Sequence, residues 1–350
     1  MVICRTPFRI SFFGGGTDYP SWYLQHGGSV LATAINKYCY ITCRYLPPFF
    51  EHRLRVVWSR IENVQTYEEI QHPAVREVLG FLNFERGLEI HHDGDLPARS
   101  GMGSSSSFVV GLLHALYALK GVMPSKHQLA TEAIHVEQEL IKETVGSQDQ
   151  VSAAYGGLNQ ISFGKNGDIA VRPVTLSRER FIELNSHLML FYTGIKRTAS
   201  NVAKSYVDDL AAREEQLFAL NGMVDKALEI LAGNRCICSF GEMLHESWQL
   251  KRSLSDKVSN DRVDELYRTA RENGAIGGKI TGAGGGGFLL LFVPPSAQAR
   301  VRAALRELLF VPFKFQKSGS EIIFYELERE DYTQLDLDRQ GVDFNWTRLP

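Results

Sequence analysis

Short segments rich in β-branched and aromatic residues alternate with turns along the first part of the chain. The period-two pattern predicts strands over residues 2–5, 9–13, 29–34, 38–44, 54–58 and 159–163. Apolar positions at helical spacing predict helices over residues 73–82, 108–119 and 125–142. Strands and helices are therefore mixed in this half of the chain.

The second half repeats the mixture in a different order. The predicted strands span residues 187–192, 288–293, 311–315 and 321–328. The predicted helices span residues 199–232, 240–254, 262–273 and 296–309. This order favours an open sheet with helices on one side, which is an α+β layering.

Length and composition narrow the class of protein. The chain has 350 residues, of which 44% are hydrophobic, so we predict two domains, residues 1–180 and 181–350. The formal net charge of -2, with both signs interspersed, gives no electrostatic reason to expect nucleic acid or a membrane as a partner. The longest apolar run, residues 288–295, is too short to cross a bilayer. Neither a signal peptide nor a disulfide framework is indicated, so we expect a cytoplasmic protein.

The serine loop, residues 97–107, joins a predicted strand to an apolar helix. Its glycines allow a tight turn, and the helix that follows offers unpaired N–H groups and the positive end of a dipole to an anion. The candidate phosphate contacts are Gly101, Met102, Gly103, Ser104, Ser105 and Ser106. Considered alone, a flexible turn that caps a core helix explains the segment equally well.

Two further glycine-rich segments lie near the two ends of the chain. The glycine loop, residues 14–18, follows a strand in which Arg9 must face either solvent or a site. By itself, a β-turn with an Asx cap also explains it. The C-terminal loop, residues 279–287, matches the dinucleotide pattern only formally, because a strand follows instead of a helix. The phosphate-loop pattern fails as well, because isoleucine follows its lysine.

Glu137 and Asp149 form a candidate pair of acids. Glu137 lies close to the buried stripe of the helix predicted over residues 125–142, and Asp149 lies in the polar segment after it. Such a pair can provide a metal ligand and a base, whereas acids at this spacing are more often solvated. The pair has functional meaning only if the serine loop lies beside it.

The three loops, in this order, resemble those of the GHMP kinases. The serine loop is similar to the family pattern Pro-x-x-x-Gly-Leu-Gly-Ser-Ser-Ala, with Met102 for leucine and Ser106 for alanine. The resemblance covers nearly the whole chain. A narrower likeness, to the D-glycero-D-manno-heptose 7-phosphate kinase branch, rests on three segments. They are residues 6–20 (TPFRISFFGGGTDYP), 145–150 (VGSQDQ) and 192–197 (YTGIKR).

This resemblance implies an α+β fold in two domains and an enzymatic activity. The N-terminal domain would be like domain 2 of ribosomal protein S5 and carry the ATP-binding serine loop, and the C-terminal domain would be ferredoxin-like. The implied activity uses ATP and Mg²⁺ to phosphorylate the anomeric hydroxyl of a heptose 7-phosphate, which supplies nucleotide-activated heptose for surface polysaccharides. The expected partners are ATP and a sugar phosphate, and association into homo-oligomers stays open.

The resemblance also implies roles for residues at the reacting centre. Asp149 would either accept the proton of the sugar hydroxyl or orient that hydroxyl, and Arg9 would stabilise the transferring phosphoryl group. Ser105 and Glu137 would bind Mg²⁺, with Ser104 as the alternative to Ser105.

A further set of residues would contact the sugar phosphate. These substrate contacts are Gly15, Gly16, Thr17, Asp18, Asp149, Lys196, Arg197 and Gly284. Asp18 would hydrogen-bond sugar hydroxyls, and the two basic residues would bind the distal phosphate. A solvated basic turn explains Lys196 and Arg197 about equally well.

Other functions compete with this one. A fucokinase- or galactokinase-like hexose kinase remains open, because the related fucokinase domain has a comparable glycine loop. A non-catalytic homologue that senses sugar and nucleotide is an alternative of another class, but the presence of both Glu137 and Asp149 favours catalysis. A diphosphomevalonate decarboxylase shares the fold, and the glycine loop and residues 192–194 argue against it.

Overall fold

Two β-sheets organise the described part of the chain, which comprises residues 1–98, 100–195, 202, 205, 213–326 and 332 of a computed structural model. In chain order, the strands are β1 (Val2–Phe13), β2 (Gly28–Tyr45), β3 (Leu54–Val57), β4 (Ile61–Val64), β5 (Leu88–Gly94), β6 (Leu158–Phe163), β7 (Ile169–Pro173), β8 (Leu188–Tyr192), β9 (Gly277–Ile280), β10 (Phe288–Phe292), β11 (Leu309–Phe310) and β12 (Glu321–Tyr325). The α-helices are α1 (Pro20–His26), α2 (Pro73–Phe81), α3 (Ser104–Leu119), α4 (Lys126–His135), α5 (Gln148–Tyr155), α6 (Arg178–Ser186), α7 (Glu214–Ala232), α8 (Cys238–Arg252), α9 (Asp261–Glu272) and α10 (Gln298–Ala304). This mixture confirms the predicted α+β class. Of the helices described, none is long and apolar enough to cross a membrane.

The larger sheet is built around two long strands. Its strands lie in the order β12-β1-β2-β5-β3-β4, and β6 and β7 extend it from β2. The sequence predicted two short strands in place of each of β1 and β2. In the structure β1 continues through Pro7, and the register with β2 shifts between Pro7 and Phe8, so a bulge accommodates the proline.

Helix α3 packs across β1 and β2 and forms the centre of the larger core. Its apolar stripe is buried as predicted, except that Leu119 is only half-buried. The buried members are Val109, Leu112, Leu113 and Leu116. A Cβ atom at Gly111 would lie 2.8 Å from the Thr6 hydroxyl, so the glycine allows the helix to approach β1 closely. This packing fixes the start of α3, and hence the serine loop, against the sheet.

The smaller sheet is antiparallel, in the order β11-β8-β10-β9. Phe240 of α8 joins it to the larger sheet, because its ring meets those of Phe12 and Phe13 edge-on at centroid distances of 5.4 and 5.0 Å. Strand β12 returns to pair with β1. The predicted domain boundary at residue 180 falls within α6, between β7 and β8, and stays a prediction.

Some predicted elements differ from the structure. The helix predicted over residues 125–142 is α4 followed by one π-helical segment, Val136–Leu140. The helix predicted over 296–309 ends at Ala304, because residues 309–310 pair with β8 instead. The strand predicted over 311–315 is wrong: proline 312 interrupts it, and only an isolated bridge forms at residue 315.

Candidate active site

The serine loop turns between β5 and α3 through two left-handed glycines. Gly101 has φ 80° and Gly103 has φ 74°, and Gly103 is the residue before the first turn of α3. A Cβ atom at Gly103 would lie 3.2 Å from Arg9 Cγ and 3.4 Å from Asp149 Oδ2. The glycine therefore allows the loop backbone to lie directly against two predicted site residues.

Arg9 and Asp149 form a bidentate ion pair beside this loop. Arg9 Nε donates to Oδ1 at 2.7 Å and Nη2 donates to Oδ2 at 2.6 Å, while Nη1 donates to the Gly101 carbonyl oxygen at 2.8 Å. Arg9 is 4% exposed, and the Asp149 side chain keeps 24% of its surface exposed. The guanidinium thus fixes a carboxylate that is still partly exposed. The structure thus brings together two predicted catalytic residues that are 140 positions apart in the sequence.

Glu137 lies on the other side of the serine loop, in the π-helical segment. Its Oε1 accepts from the Ser105 hydroxyl at 2.7 Å, and its Oε2 accepts from the Ser106 hydroxyl at 2.6 Å and from Gln150 Nε2 at 2.5 Å. Burial raises the pKa of Glu137 to about 7, although these hydrogen bonds act in the opposite direction. Wide π-turns occur often at functional sites, and this one directs Glu137 onto the start of α3.

The oxygen donors around Glu137 suit a hard divalent cation. Mg²⁺ prefers carboxylate, hydroxyl, phosphate and water oxygens, and here a carboxylate and a serine hydroxyl lie side by side at a helix N-terminus. A bound cation would also favour the ionised form of the buried carboxylate. Within the described ranges, no three His, Cys, Asp or Glu side chains cluster as a metal site. Phosphate and water oxygens would have to complete the coordination.

The glycine loop joins the site through Asp18, which is only 1% exposed. Its Oδ1 accepts from Gly16 N–H at 3.0 Å and its Oδ2 accepts from Gln148 N–H at 3.3 Å. Burial raises the pKa of Asp18, and the nearby charge of Asp149 adds to the effect. The carboxylate thus ties the glycine loop to the start of α5, the helix that carries Asp149. Its predicted contact with sugar hydroxyls stays a prediction.

Unpaired polar atoms gather around Gly15. A Cβ atom there would lie 3.6 Å from both Gln148 Nε2 and Ser11 Oγ. Ser11 Oγ and Gln148 Oε1 are buried and lack a hydrogen-bond partner among the residues that the structure describes. Thr17, by contrast, uses its hydroxyl within the loop, where it donates to the Gly14 carbonyl oxygen at 2.8 Å. Orphaned buried polar atoms beside a glycine backbone are suited to bind a polyhydroxylated ligand.

The C-terminal loop lies directly on the serine loop. A Cβ atom at Gly282 would lie 2.6 Å from Gly101 Cα, and one at Gly287 would lie 2.2 Å from the Ser100 carbonyl oxygen. Only glycines allow two backbones to approach this closely. Gly284 faces a different neighbour, the Val258 carbonyl oxygen, which a Cβ atom would approach to 2.6 Å. The structure therefore brings all three loops into one cleft.

Two buried lysines at this cleft were not predicted as site residues. Lys279 Nζ donates to the Phe12 carbonyl oxygen at 2.9 Å, and Lys251 Nζ donates to that of Gly282. Burial lowers the pKa of Lys251 to about 8 and holds that of Lys279 well below its usual range. The signal in the sequence was Lys251 itself, which interrupts an apolar stripe of α8 at helical spacing.

Lys196 and Arg197, the predicted contacts of a distal phosphate, lie outside the described residues. The chain before them runs along the C-terminal loop, where Gly287 N–H donates to the Ile195 carbonyl oxygen at 2.9 Å. Their role stays a prediction.

Two family models match this chain. The model of the GHMP kinases N terminal domain matches residues 67–157, and that of the GHMP kinases C terminal domain matches residues 231–309. The first match contains the serine loop, Glu137 and Asp149, and the second contains Lys251 and the C-terminal loop. The chain therefore contains both GHMP kinase domains.

The proteins similar to this chain include sugar kinases. It is 28% identical to a D-glycero-alpha-D-manno-heptose 7-phosphate kinase of Campylobacter jejuni over 90% of this chain and 96% of the relative. It is 27% identical to a bifunctional fucokinase/GDP-fucose pyrophosphorylase of Arabidopsis thaliana, over 86% of this chain and 31% of that protein. The crystal structure of a D-glycero-D-manno-heptose 1-phosphate kinase of Bacteroides thetaiotaomicron shares the fold, with a TM-score of 0.75 and 23% identity. The match covers 93% of this chain and 100% of that chain. The protein is an ATP-dependent carbohydrate kinase with the two-domain GHMP kinase fold.

Proposed function

We propose that this kinase transfers the γ-phosphate of ATP to the anomeric hydroxyl of D-glycero-D-manno-heptose 7-phosphate and releases the 1,7-bisphosphate and ADP. The observation that carries the proposal is the bidentate Arg9–Asp149 pair against the serine loop. It supplies a fixed carboxylate for an attacking hydroxyl and a fixed guanidinium for a phosphoryl group. The heptose is favoured because the likeness to the C. jejuni heptose 7-phosphate kinase extends over 96% of that protein.

The serine loop is the proposed binding site of the ATP phosphates. Residues 101–106 present backbone N–H groups at the N-terminus of α3, where the helix dipole attracts anions. Because the left-handed Gly101 and Gly103 have no side chains, phosphate oxygens can reach these N–H groups. Ser106 uses its hydroxyl on Glu137, so its contribution to phosphate binding comes from the backbone.

Glu137 and Ser105 are the proposed protein ligands of Mg²⁺, and Ser104 is the alternative hydroxyl. Their oxygens lie at the start of α3, where the phosphates are proposed to bind. When bound, the cation neutralises phosphate charge and supports phosphoryl transfer electrostatically. Gln150 and Ser106 hold the Glu137 carboxylate in place by hydrogen bonds to Oε2.

Asp149 and Arg9 are the proposed catalytic residues. Phosphoryl transfer has a loose transition state, so positioning and charge stabilisation matter more than proton abstraction. The Asp149 carboxylate accepts a hydrogen bond from the sugar hydroxyl and takes its proton as the O–P bond forms. Arg9 spends three of its five N–H groups on Asp149 and Gly101, which leaves two for the phosphoryl oxygens.

The sugar is proposed to bind against the glycine loop. Backbone at Gly15 and Gly16, with the unpaired Ser11 Oγ and Gln148 Oε1, offers hydrogen bonds to its hydroxyls. Asp18 and Thr17 hold that loop in shape, and direct contact of Asp18 with the sugar is part of the proposal. Lys196 and Arg197 are proposed to bind the distal phosphate, and the C-terminal loop with Gly284 is proposed to close over the substrate.

A coupled ADP-release assay over a panel of acceptors tests this function. The panel contains heptose 7-phosphate, unphosphorylated heptose, fucose, galactose, mannose and mevalonate. We expect the highest kcat/KM with heptose 7-phosphate, because only this acceptor presents both a ring and a distal phosphate. Higher kcat/KM with fucose would establish the alternative, a fucokinase, which the similarity to the A. thaliana enzyme favours. Absence of acceptor-dependent ADP release with every sugar would overturn catalysis on sugars altogether.

A further inference from the structure

Lys251 is a buried charge on an otherwise apolar face of α8. Leu244, Trp248 and Lys251 follow one another at helical spacing, and all three are buried, Lys251 with 6% exposure. Arg252, the next residue, points outward and pairs with Asp264 at 2.6 Å. A lysine on the inner face of a helix needs an acceptor for its charge, because burying an ammonium without one is costly.

The ammonium of Lys251 lies where the C-terminal loop meets the serine loop. Its Nζ donates to the Gly282 carbonyl oxygen, and Gly282 itself lies against Gly101. The charged groups that act on it are Arg9 of β1, Asp18 of the glycine loop, Asp149 of α5 and Lys279 of β9. The nitrogen thus contacts the C-terminal loop where that loop meets the serine loop, and it lies within electrostatic reach of Asp18 in the glycine loop.

Neither neighbouring carboxylate is available to neutralise Lys251. Asp149 is already held by the Arg9 guanidinium in a bidentate pair. Asp18 accepts from backbone N–H groups, and burial disfavours its charged form. An ammonium has three N–H groups, and the Gly282 carbonyl oxygen takes one. Because Arg9 is matched by Asp149, the ammonium of Lys251 is left without a carboxylate partner among the described residues at this place, which suits an anion.

We propose that Lys251 of α8 binds the phosphoryl group during its transfer, as a second cation beside Arg9. This inference rests on the proposed function, in which the anion at the Arg9–Asp149 pair is the γ-phosphate of ATP. The hydrogen bond to Gly282 positions the ammonium and leaves two N–H groups for phosphoryl oxygens. A transferring phosphoryl group spreads charge over its oxygens, so a fixed ammonium stabilises it.

Three variants test the proposal: Lys251→Met, Lys251→Arg and the control Arg252→Met, which removes a neighbouring exposed charge. Calorimetric titration with Mg·ADP and with a non-hydrolysable ATP analogue separates a γ-phosphate contact from support of the loop. We expect Lys251→Met to bind the analogue at least about tenfold more weakly and ADP within about twofold of wild type. We expect kcat to fall about 10²-fold, since one stabilising donor of the transition state is removed. Arg252→Met should match wild type in all three measurements.

The pH profile provides a second readout. Because burial lowers the pKa of Lys251 to about 8, the ammonium is present below that pH and lost above it. Wild-type kcat/KM should therefore fall above about pH 8. Lys251→Arg stays charged at every accessible pH, so its activity should lack this limb even if its kcat is lower.

Two results would overturn the proposal. Equal losses of affinity for ADP and the analogue in Lys251→Met would show that the lysine only supports the C-terminal loop. An unchanged basic limb in Lys251→Arg would show that another group titrates, and this readout remains decisive if the methionine variant does not fold. Failure of wild type to phosphorylate any acceptor would instead contradict the proposed function, while the two nucleotide titrations still decide on Lys251.

Discussion

At the scale of single residues, the site depends on how Arg9 constrains Asp149. The two side chains come from opposite ends of the N-terminal half of the chain, and each restricts the rotamers of the other through two short hydrogen bonds. The geometry needs a planar fork that engages both carboxylate oxygens at once, while a third nitrogen holds the Gly101 carbonyl oxygen. The identity of the cation therefore matters as much as its charge.

Replacing Arg9 by lysine tests this constraint. Lysine keeps the charge but has no planar fork, so it leaves Asp149 free to rotate and the Gly101 carbonyl oxygen without its partner. We expect kcat to fall about 10²-fold or more, as measured by steady-state ADP release. The matched control is Arg5→Lys on the same strand, where the arginine forms a half-exposed pair with Glu321. Equal kcat in Arg9→Lys and wild type would show that the charge alone suffices.

Glu137 presents the opposite case, because it destabilises the folded protein when no ligand is bound. Its pKa in the unfolded chain lies near 4.5, and burial raises it to about 7 in the folded protein. The protonated Glu137 carboxyl group therefore contributes its full share to the stability of the fold below about pH 4.5, and this contribution is lost as the pH rises through about 7. Above that range the fold carries a buried negative charge.

Glu137→Gln should therefore separate stability from activity. We expect the variant to be more stable than wild type by roughly 1–3 kcal/mol at about pH 8 in a chelator, and the difference to disappear towards pH 5. Denaturant unfolding at the two pH values measures this, and the same variant should lose kinase activity. Lower stability than wild type at the higher pH would contradict the account of the buried charge.

At the scale of elements, the site is assembled where backbones approach each other without side chains between them. The serine loop and the C-terminal loop touch through Gly101, Gly282 and Gly287. The loops themselves were visible in the sequence as glycine-rich segments before or after periodic apolar runs. The contact between the two loops was not visible, because Gly101 and Gly282 lie about 180 positions apart and meet only through the packing of the two sheets. It entered the prediction only through the resemblance to a family.

Gly282→Ala tests the contact between the loops. A methyl group at Gly282 would lie 2.6 Å from Gly101 Cα, in addition to the strain of a left-handed φ of 68°. Gly121→Ala is a matched control, because Gly121 has φ 71° and no atom within 4 Å of the added methyl group. We expect both variants to lose about 1 kcal/mol from backbone strain. Only Gly282→Ala should also raise the KM for ATP, and an equal KM in the two variants would contradict the contact.

Other elements were predicted in part. The two parts of β1 were predicted as separate strands, because the pairing with β2 that continues through Pro7 is not visible in the local sequence. Helix α5, which carries Asp149, was interpreted as a polar loop, since glycine and serine precede it and its first turn carries two amide side chains. The π-helical segment at Glu137 has no local signal either. Its wide turn is stabilised by contacts of Glu137 with Ser105 and Ser106, which come from another helix.

At the scale of the whole molecule, the two sheets act as the two halves of one site. The larger sheet supplies Arg9, the serine loop, Glu137 and Asp149, and the smaller sheet with α8 supplies Lys251 and the C-terminal loop. The aromatic contact of Phe240 with Phe12 and Phe13 lies directly behind the glycine loop, so the interface of the two sheets also supports the site. The candidate acids and loops could be predicted from residue types and spacing. The roles of Lys251 and Lys279 could not be predicted, because the function of a buried lysine can be judged only when the charged groups packed against it are known.

Phosphorus NMR of the reaction mixture tests the central claim most directly. Wild type with heptose 7-phosphate, ATP and Mg²⁺ should produce ADP together with a new sugar phosphate signal coupled to the anomeric proton. Asp149→Asn, which keeps the shape of the side chain without its negative charge, should bind nucleotide but form this product at least about 10²-fold more slowly. Product formation by Asp149→Asn at the wild-type rate, or no anomeric phosphate signal from wild type, would contradict the account.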